Sequence, residues 1–443
     1  MNRQLLGLAL AFAAVAAARE PLYDKLWSDP EVELRIRTGI GANRMGFATL
    51  RFTDEQGKPV NNVEVDFQQT GHQFLFGCNI FLLKGFSTEG QNQNYEKAFR
   101  ETFNFATAPF YWSDLEPEQG RLRFAVDAPF IRRRPQPDLV VDWCRRNNIT
   151  VKGHNLIWHS WYPAWLPKDQ EEVTRLARRR FEQIAERYGK SIPIWDVVNE
   201  PLERNNNVLP KDYTYWAMKE AERLFPPEAV LMVNEVTTHM MAPRQEESPF
   251  YMLLQNLFLR HARVDAIGLQ YHLFSEQLYR DLLAGRAQRP RELMQAFDLY
   301  ERFQRPIHIT EITIPTLPAG GKNSEEDQAA VVRNLYRLWF SQRSVEAITW
   351  WNLSDGTAAP GEDKWGGGLM REDFSPKLSY KALDQLIHKE WWTHIERKSG
   401  AESAMRLHGF YGDYEITARR NGKTVRQKVR LSKTGTNEFA IQF

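Results

Sequence analysis

Ile192-Pro193-Ile194-Trp195-Asp196-Val197-Val198-Asn199-Glu200-Pro201 is the stretch that decides the fold. The run Ile192–Val198 is short and almost continuously apolar. That pattern suits a strand covered on both faces, because a helix needs ten or more residues and a half-exposed strand would alternate. The run ends on an amide, a carboxylate and then a proline. Seven other runs have the same form: Phe74–Ile80, Phe103–Ala108, Ile149–Ile157, Ala229–Val233, Val264–Leu269, Pro306–Thr310 and Ala347–Trp351. Each is followed by room for a helix, and Glu171–Tyr188 and Ser324–Phe340 are strongly helical in pattern. Eight buried parallel strands with intervening helices predict an α/β protein, a closed (β/α)₈ TIM barrel. The rival is an open doubly wound sheet, but no G-x-G-x-x-G follows the first strand.

Outside these runs the character changes. Leu34 and Ile36, then Ala48, Leu50 and Phe52, then Val63, Val65 and Phe67 alternate in the manner of antiparallel strands, with a turn at Asp54–Pro59. After Trp392 alternation returns. Tyr414–Ala418 leads through Asn421-Gly422 into Val425–Leu431, and Asn-Gly between alternating runs marks a hairpin. The chain therefore divides into residues 19–72, an N-terminal β segment, 73–392, the barrel, and 393–443, a C-terminal β segment. The two β segments are expected to pack together as one small module, since neither alone buries much surface.

The 443 residues are 42% hydrophobic and 26% charged, which excludes a disordered chain. The net charge is only +2, which argues against nucleic acid as the main partner. Met1-Asn2-Arg3, the apolar run Leu5–Ala18 and the exit Ala16-Ala17-Ala18 predict a secretory signal at residues 1–18, hence a secreted or periplasmic protein. No later stretch is long enough to span a membrane. Cys78 and Cys144 either pair in an oxidising compartment or stay as buried thiols; spacing leaves both open.

In a barrel of this kind the chemistry gathers where the strands end. The third strand ends in Gly153-His154-Asn155-Leu156-Ile157-Trp158-His159, the fourth in Asn199-Glu200, and the fifth in Asn234-Glu235. The sixth ends in Gln270-Tyr271-His272, the seventh in Thr310-Glu311, and the eighth in Trp350-Trp351-Asn352. Glu200 and Glu311 are two carboxylates on one mouth. Such a pair is the minimum needed to cleave a glycosidic bond, one protonating the leaving oxygen while the other attacks the anomeric carbon. The acid is expected to have a raised pKa, from apolar surroundings or a neighbouring negative charge. The nucleophile is expected to be surrounded by donors, with Asn199 and His272 as candidates. His154, His159 and His272 match no metal-ligand spacing, so neither a metal nor another cofactor is expected. The alternatives are a glycan-binding protein of the same fold with weak or no turnover, a β-glycosidase of the same mechanism acting on a different glycan and, remotely, a metal-dependent hydrolase.

These motifs resemble glycoside hydrolase family 10, the xylanase family. Gly153–Ser160 resembles its G-H-x-L-x-W-H-S, Trp195–Glu200 its W-D-V-V-N-E, Gln270-Tyr271-His272 its Q-x-H, and Ile309-Thr310-Glu311 its I-T-E. Ser375–Tyr380 resembles its closing P-K-P-x-Y stretch. The resemblance spans roughly residues 74–387. It implies a retaining hydrolase of β-1,4-linked xylan with Glu200 as acid/base and Glu311 as nucleophile. It further implies that Asn199 bonds the sugar 2-hydroxyl and that His154 and Trp158 line the sugar site. By the same resemblance Gln270 sits near both carboxylates, His272 bonds Glu311, and Trp351 forms an apolar floor.

Two departures stand out. Where the family carries E-N-x-x-K-W to hold the next sugar on the non-reducing side, this chain has Thr107-Ala108-Pro109-Phe110-Tyr111-Trp112, and only Trp112 survives as a substrate contact. Where the family has an aspartate two residues after the nucleophile, this chain has Thr313, a neutral partner for the histidine. Arg132–Pro137 is expected to be a solvated loop. Trp161, Tyr162 and Trp165 either stack on sugar or pack a loop. His239–Pro249 lies on the mouth side, and the glycines around Trp365 suggest a movable flap.

Overall fold

The computed structural model describes residues 19–203, 208–240, 244–316 and 324–443. The signal segment read at residues 1–18 lies outside them. Eight parallel strands close into a barrel in chain order: Leu75–Asn79, Phe105–Pro109, Thr150–Trp158, Ile194–Asn199, Val230–Glu235, Ala266–His272, Ile307–Thr313 and Val345–Trp350. Each falls on one of the eight apolar runs. The last strand pairs with both the seventh and the first, which closes the ring and removes every edge. Phe105, Ile194, Met232, Ala266 and Ala347, near the strand starts, form a buried plug. The reactive end is therefore the other one, where the strands finish.

The outer helices follow from spacing and caps. Gln170–Tyr188 begins where the Asp169 side chain accepts the Glu172 N–H. It buries Val173, Leu176, Ala177, Phe181 and Ile184, which share one face at 3.6 residues per turn. Each large aliphatic or aromatic side chain among them contributes about 1.5–3 kcal/mol when fully buried. Gly153, at the third strand, is fixed by a close approach. A Cβ there would come within 2.2 Å of the Trp195 ring, so the backbone itself packs against the indole.

The two β segments do form one module. Met45–Thr53 pairs antiparallel with Ala404–Phe410 and parallel with Glu438–Gln442. Glu64–His72 pairs antiparallel with His394–Lys398 and with Gly412–Arg420, which continues into Lys423–Leu431. The turn between the last two holds Asn421 at φ 47° and Gly422 at φ 80°, as a tight hairpin requires. Leu50, Phe52, Val65, Phe67, Leu407 and Ile416 share its core.

The N-terminal part of the 19–72 segment is not β. Pro21–Trp27 and Pro30–Arg44 are helices, so Leu34 and Ile36 do not lie on a strand. Pro30 occupies the first turn, and the Asp29 carboxylate accepts the N–H groups of Glu31 and Val32. Its buried apolar positions are Val32 and Ile36, four apart on one helix face, while Leu34 is 54% exposed. Both helices pack on the barrel, with Tyr23, Trp27, Val32 and Ile36 in the barrel core. Cys78 and Cys144 are free and buried, and burial pushes the Cys144 thiol up to about 12. No helix among the described residues is long and apolar enough to cross a membrane.

Candidate active site

Strand register brings the site together before any side chain is considered. Trp158 lies opposite Asn199, Asn199 opposite Asn234, Gln270 opposite Glu311, and His272 opposite Thr313. Above these residues opens a cleft of about 550 Å³, lined by His154, Trp158, Asn199, Glu200, Gln270, His272, Glu311 and Trp351 among others.

Gln270 stands between the two carboxylates. Its Nε2 donates to Glu200 Oε1 at 2.9 Å and to Glu311 Oε1 at 3.3 Å. Those two oxygens are thus no further apart than the sum of the two distances, about 6.2 Å.

Glu311 is buried and meets several donors. Asn234 Nδ2 donates to Oε1 at 2.9 Å, and His272 Nε2 lies 3.2 Å from Oε2. The other nitrogen of His272 lies 3.0 Å from the Thr313 hydroxyl, which can donate or accept, so the neutral partner expected there is in place. His154 Nε2 lies 3.9 Å from Oε1, and its Nδ1 is 2.8 Å from Asp196 Oδ2. Asp196 pairs in turn with Lys152 at 2.8 Å, and both side chains are fully buried. Burial alone would raise the Asp196 pKa, but the Lys152 charge and the bond from His154 hold it below the ordinary range. An ionised Asp196 accepts from His154 Nδ1, which orients the imidazole toward Glu311.

Glu200 has a different setting. Trp158 Nε1 donates to its Oε2 at 3.0 Å, and His159 Nε2 lies 3.7 Å from the same oxygen. Its backbone φ is 49°, in the left-handed region where a non-glycine residue stores about 1–3 kcal/mol. The turn is pinned on both sides. The Glu200 N–H donates to the Asn234 carbonyl, and the buried Glu235 carboxyl accepts from Leu202 N at 3.0 Å and Val236 N at 2.8 Å.

The raised pKa expected of the acid is not found in this arrangement. Burial pushes Glu200 up, but hydrogen bonds from His159 and Gln270 and the charges of His159 and His272 outweigh it and hold the carboxyl below the ordinary range. The raised carboxyl is Glu235. Burial takes it to about 8, with the nearby Glu200 charge adding to the rise and its two backbone donors offsetting only part of it. Between about pH 4.5 and 8 the folded chain therefore holds a proton at Glu235 that the unfolded chain has lost. The Glu235 contribution to stability should fall across that window as pH rises. His72 and His308, which burial lowers to about 4, act in the opposite direction, so the check is a difference between two proteins. The melting temperature of the parent minus that of Glu235→Gln should fall between pH 5 and pH 8, whatever constant offset the lost acceptor introduces. A difference that does not change with pH would reassign the proton.

Two expectations at the cleft are corrected. Trp112 is not among the residues that line the cleft. It is buried, its Nε1 donates to Glu116 Oε2 at 3.0 Å, and its ring packs edge-on to Trp165. The neighbouring Tyr111 faces the cleft instead and lines it with Phe81, Trp351 and Trp158. Arg132–Pro137 is not simply a solvated loop either, because Arg133 and Arg134 both line the cleft. Of the three aromatics after the third strand, Trp161 is 47% exposed at the cleft, whereas Tyr162 and Trp165 pack against the core. Val236, Thr237 and Thr238 also line the cleft, and His239 lies 2.9 Å from Glu203. The glycine loop around Trp365 is held at Gly366 by hydrogen bonds. The buried Lys377 donates to the Gly366 carbonyl at 2.8 Å and pairs with Asp355 at 2.7 Å.

Sequence reasoning gave Asn234 no role. Its signal was there: it ends the strand beside Asn199, and its Nδ2 bonds both Asn199 Oδ1 at 2.7 Å and Glu311. The Lys152–Asp196 pair was also missed. Lys152 and His154 are two apart, so both face the barrel interior, as Asp196 does from the next strand.

Comparison with known proteins agrees with this geometry. Residues 74–385 match the family model described as glycosyl hydrolase family 10. Anti-sigma-I factor RsgI6 of Acetivibrio thermocellus is 26% identical over 381 residues, covering 84% of this chain and 45% of that protein. Endo-1,4-beta-xylanase A of a Caldicellulosiruptor species is 25% identical over 308 residues, covering 61% of this chain and 40% of that protein. Endo-1,4-beta-xylanase B of Thermotoga neapolitana is 24% identical over 320 residues, covering 67% and 84%. The chain thus spans less than half the length of two of these relatives. Among solved structures, xylanase 10B of Thermotoga petrophila in complex with xylobiose superposes with a TM-score of 0.59 at 20% identity, covering 72% of this chain and 95% of that one. The family match takes in more than half of the 443 residues, and on that extent this chain belongs to glycosyl hydrolase family 10.

Proposed function

We propose that this chain hydrolyses β-1,4-xylosidic bonds in xylan or decorated xylan fragments by double displacement, with retention of configuration. Glu311 attacks the anomeric carbon and forms the glycosyl-enzyme. Glu200 protonates the leaving oxygen and then deprotonates the incoming water. Asn199 bonds the sugar 2-hydroxyl, and Trp351 floors the ring. The protein works outside the cytoplasm, as a signal at residues 1–18 would direct.

One observation carries the reading: a single amide nitrogen, Gln270 Nε2, bonds both carboxylates. The resulting limit of about 6.2 Å between the bonded oxygens favours the retaining geometry, since inverting pairs begin at ~6.5 Å to admit a water. The names of the xylanase relatives support xylan as the substrate.

The test is release of reducing ends from xylan, mannan and β-glucan, with the anomeric configuration of the first product followed by NMR. The β-anomer from xylan is expected. The α-anomer would overturn double displacement, and hydrolysis of mannan or β-glucan alone would overturn the substrate.

A further inference from the structure

The cleft carries two guanidiniums of unequal standing. Arg134 is neutralised, with its Nε 2.6 Å from Asp114 Oδ2. Arg133 is not. It is only 8% exposed, yet its Nη1 donates to two uncharged acceptors, Asn352 Oδ1 at 3.0 Å and the Thr357 carbonyl. Among the described residues no carboxylate oxygen lies within ion-pair distance of it. Glu362, also on the cleft, acts on it from farther away. Its Nε and Nη2 have no protein acceptor among the described residues. A buried cation without a counter-ion is unfavourable, and the protein would gain from an anion placed there.

The surroundings indicate what that anion would be attached to. Tyr111, Phe81 and Trp351 form an aromatic cluster on the same cleft wall, the kind of surface a pyranose ring lies against. Arg133 itself sits over the Phe81 ring at 5.6 Å, and Arg134 over the Tyr111 ring at 4.2 Å. The planar guanidinium fork matches a carboxylate in geometry and charge.

We propose that Arg133 and the Tyr111 wall form a subsite for a uronic acid, so that the preferred glycan is an acidic one, a xylan carrying glucuronate side groups. This rests on the hydrolase reading above and extends it to the substituent.

The experiment uses the full chain carrying Glu311→Ala, so that bound oligosaccharide is not consumed. Calorimetry compares xylotetraose bearing one glucuronic acid with the same compound after its carboxyl is reduced to the neutral alcohol. A charge-assisted bond predicts at least about tenfold tighter binding of the acid. Arg133→Gln in the same background should bring the ratio close to one, and Arg133→Lys should restore part of it. The two-ligand comparison needs no change at Arg133, so a misfolded variant does not spare the proposal. Equal affinities, or no binding of the acid, would overturn it. Reducing-end release by the unmodified chain is read separately. Preferential binding of the acid without hydrolysis would strike out the hydrolase reading and leave the subsite standing.

Discussion

Glu311→Ala is expected to lower kcat on xylan by about 10⁴-fold or more, the scale of loss when a covalent nucleophile is removed. The size reflects the groups left behind. Asn234, Gln270 and His272 all point donors at the Glu311 carboxylate, and none of them can take over the attack on the anomeric carbon proposed for it. In the variant these donors face a gap, and the ring has no partner on that side. The measurement is the initial rate at saturating substrate, with circular dichroism to show an intact barrel. Activity within tenfold of the parent would remove Glu311 from the role.

Glu200→Ala should give a loss that depends on the leaving group. On xylan, whose departing hydroxyl is a poor leaving group, a fall of about 10²–10⁴-fold is expected, the usual contribution of a positioned general acid. On a dinitrophenyl glycoside the first step needs no proton, so the loss in that step should be far smaller. Protonation also sets the pH profile. The bonds and charges of His159, Gln270 and His272 hold Glu200 below the ordinary range, and the acid form is lost as pH rises through that lowered value. Parent activity on poor leaving groups should therefore peak on the acid side, while dinitrophenyl turnover persists to higher pH. Equal losses on both substrates would exclude Glu200 as the acid.

The barrel was legible because its signal is redundant. Eight short apolar runs, each ending in polar residues and followed by helical periodicity, leave few other topologies, and every run became a strand. The site was legible for the same reason, since residues at strand ends share one mouth. The failures are local and physical. Leu34 and Ile36 imitate strand alternation, but a proline in the first turn and the Asp29 cap turn the same residues into a helix whose buried pair is Val32 and Ile36. Trp112 kept its identity while its neighbour Tyr111 took the cleft, a distinction of side-chain direction that identity does not carry. Arg133 and Arg134 looked like a solvated charge run. They are drawn inward by acceptors distant in sequence: Asn352 and Thr357 for one, and Asp114 for the other.

The strand Met45–Thr53 lies between two strands that follow the whole barrel in sequence, and Leu50 pairs with Phe439. This early strand has no native neighbour until residues 404–443 are also available to fold. Contacts this distant in sequence are slow to form, so the β module is expected to close last, with its waiting strand the most exposed to mispairing with other chains. Yield of native protein would then be governed by how long that strand is kept from its neighbours, more than by the stability of the barrel that carries the chemistry.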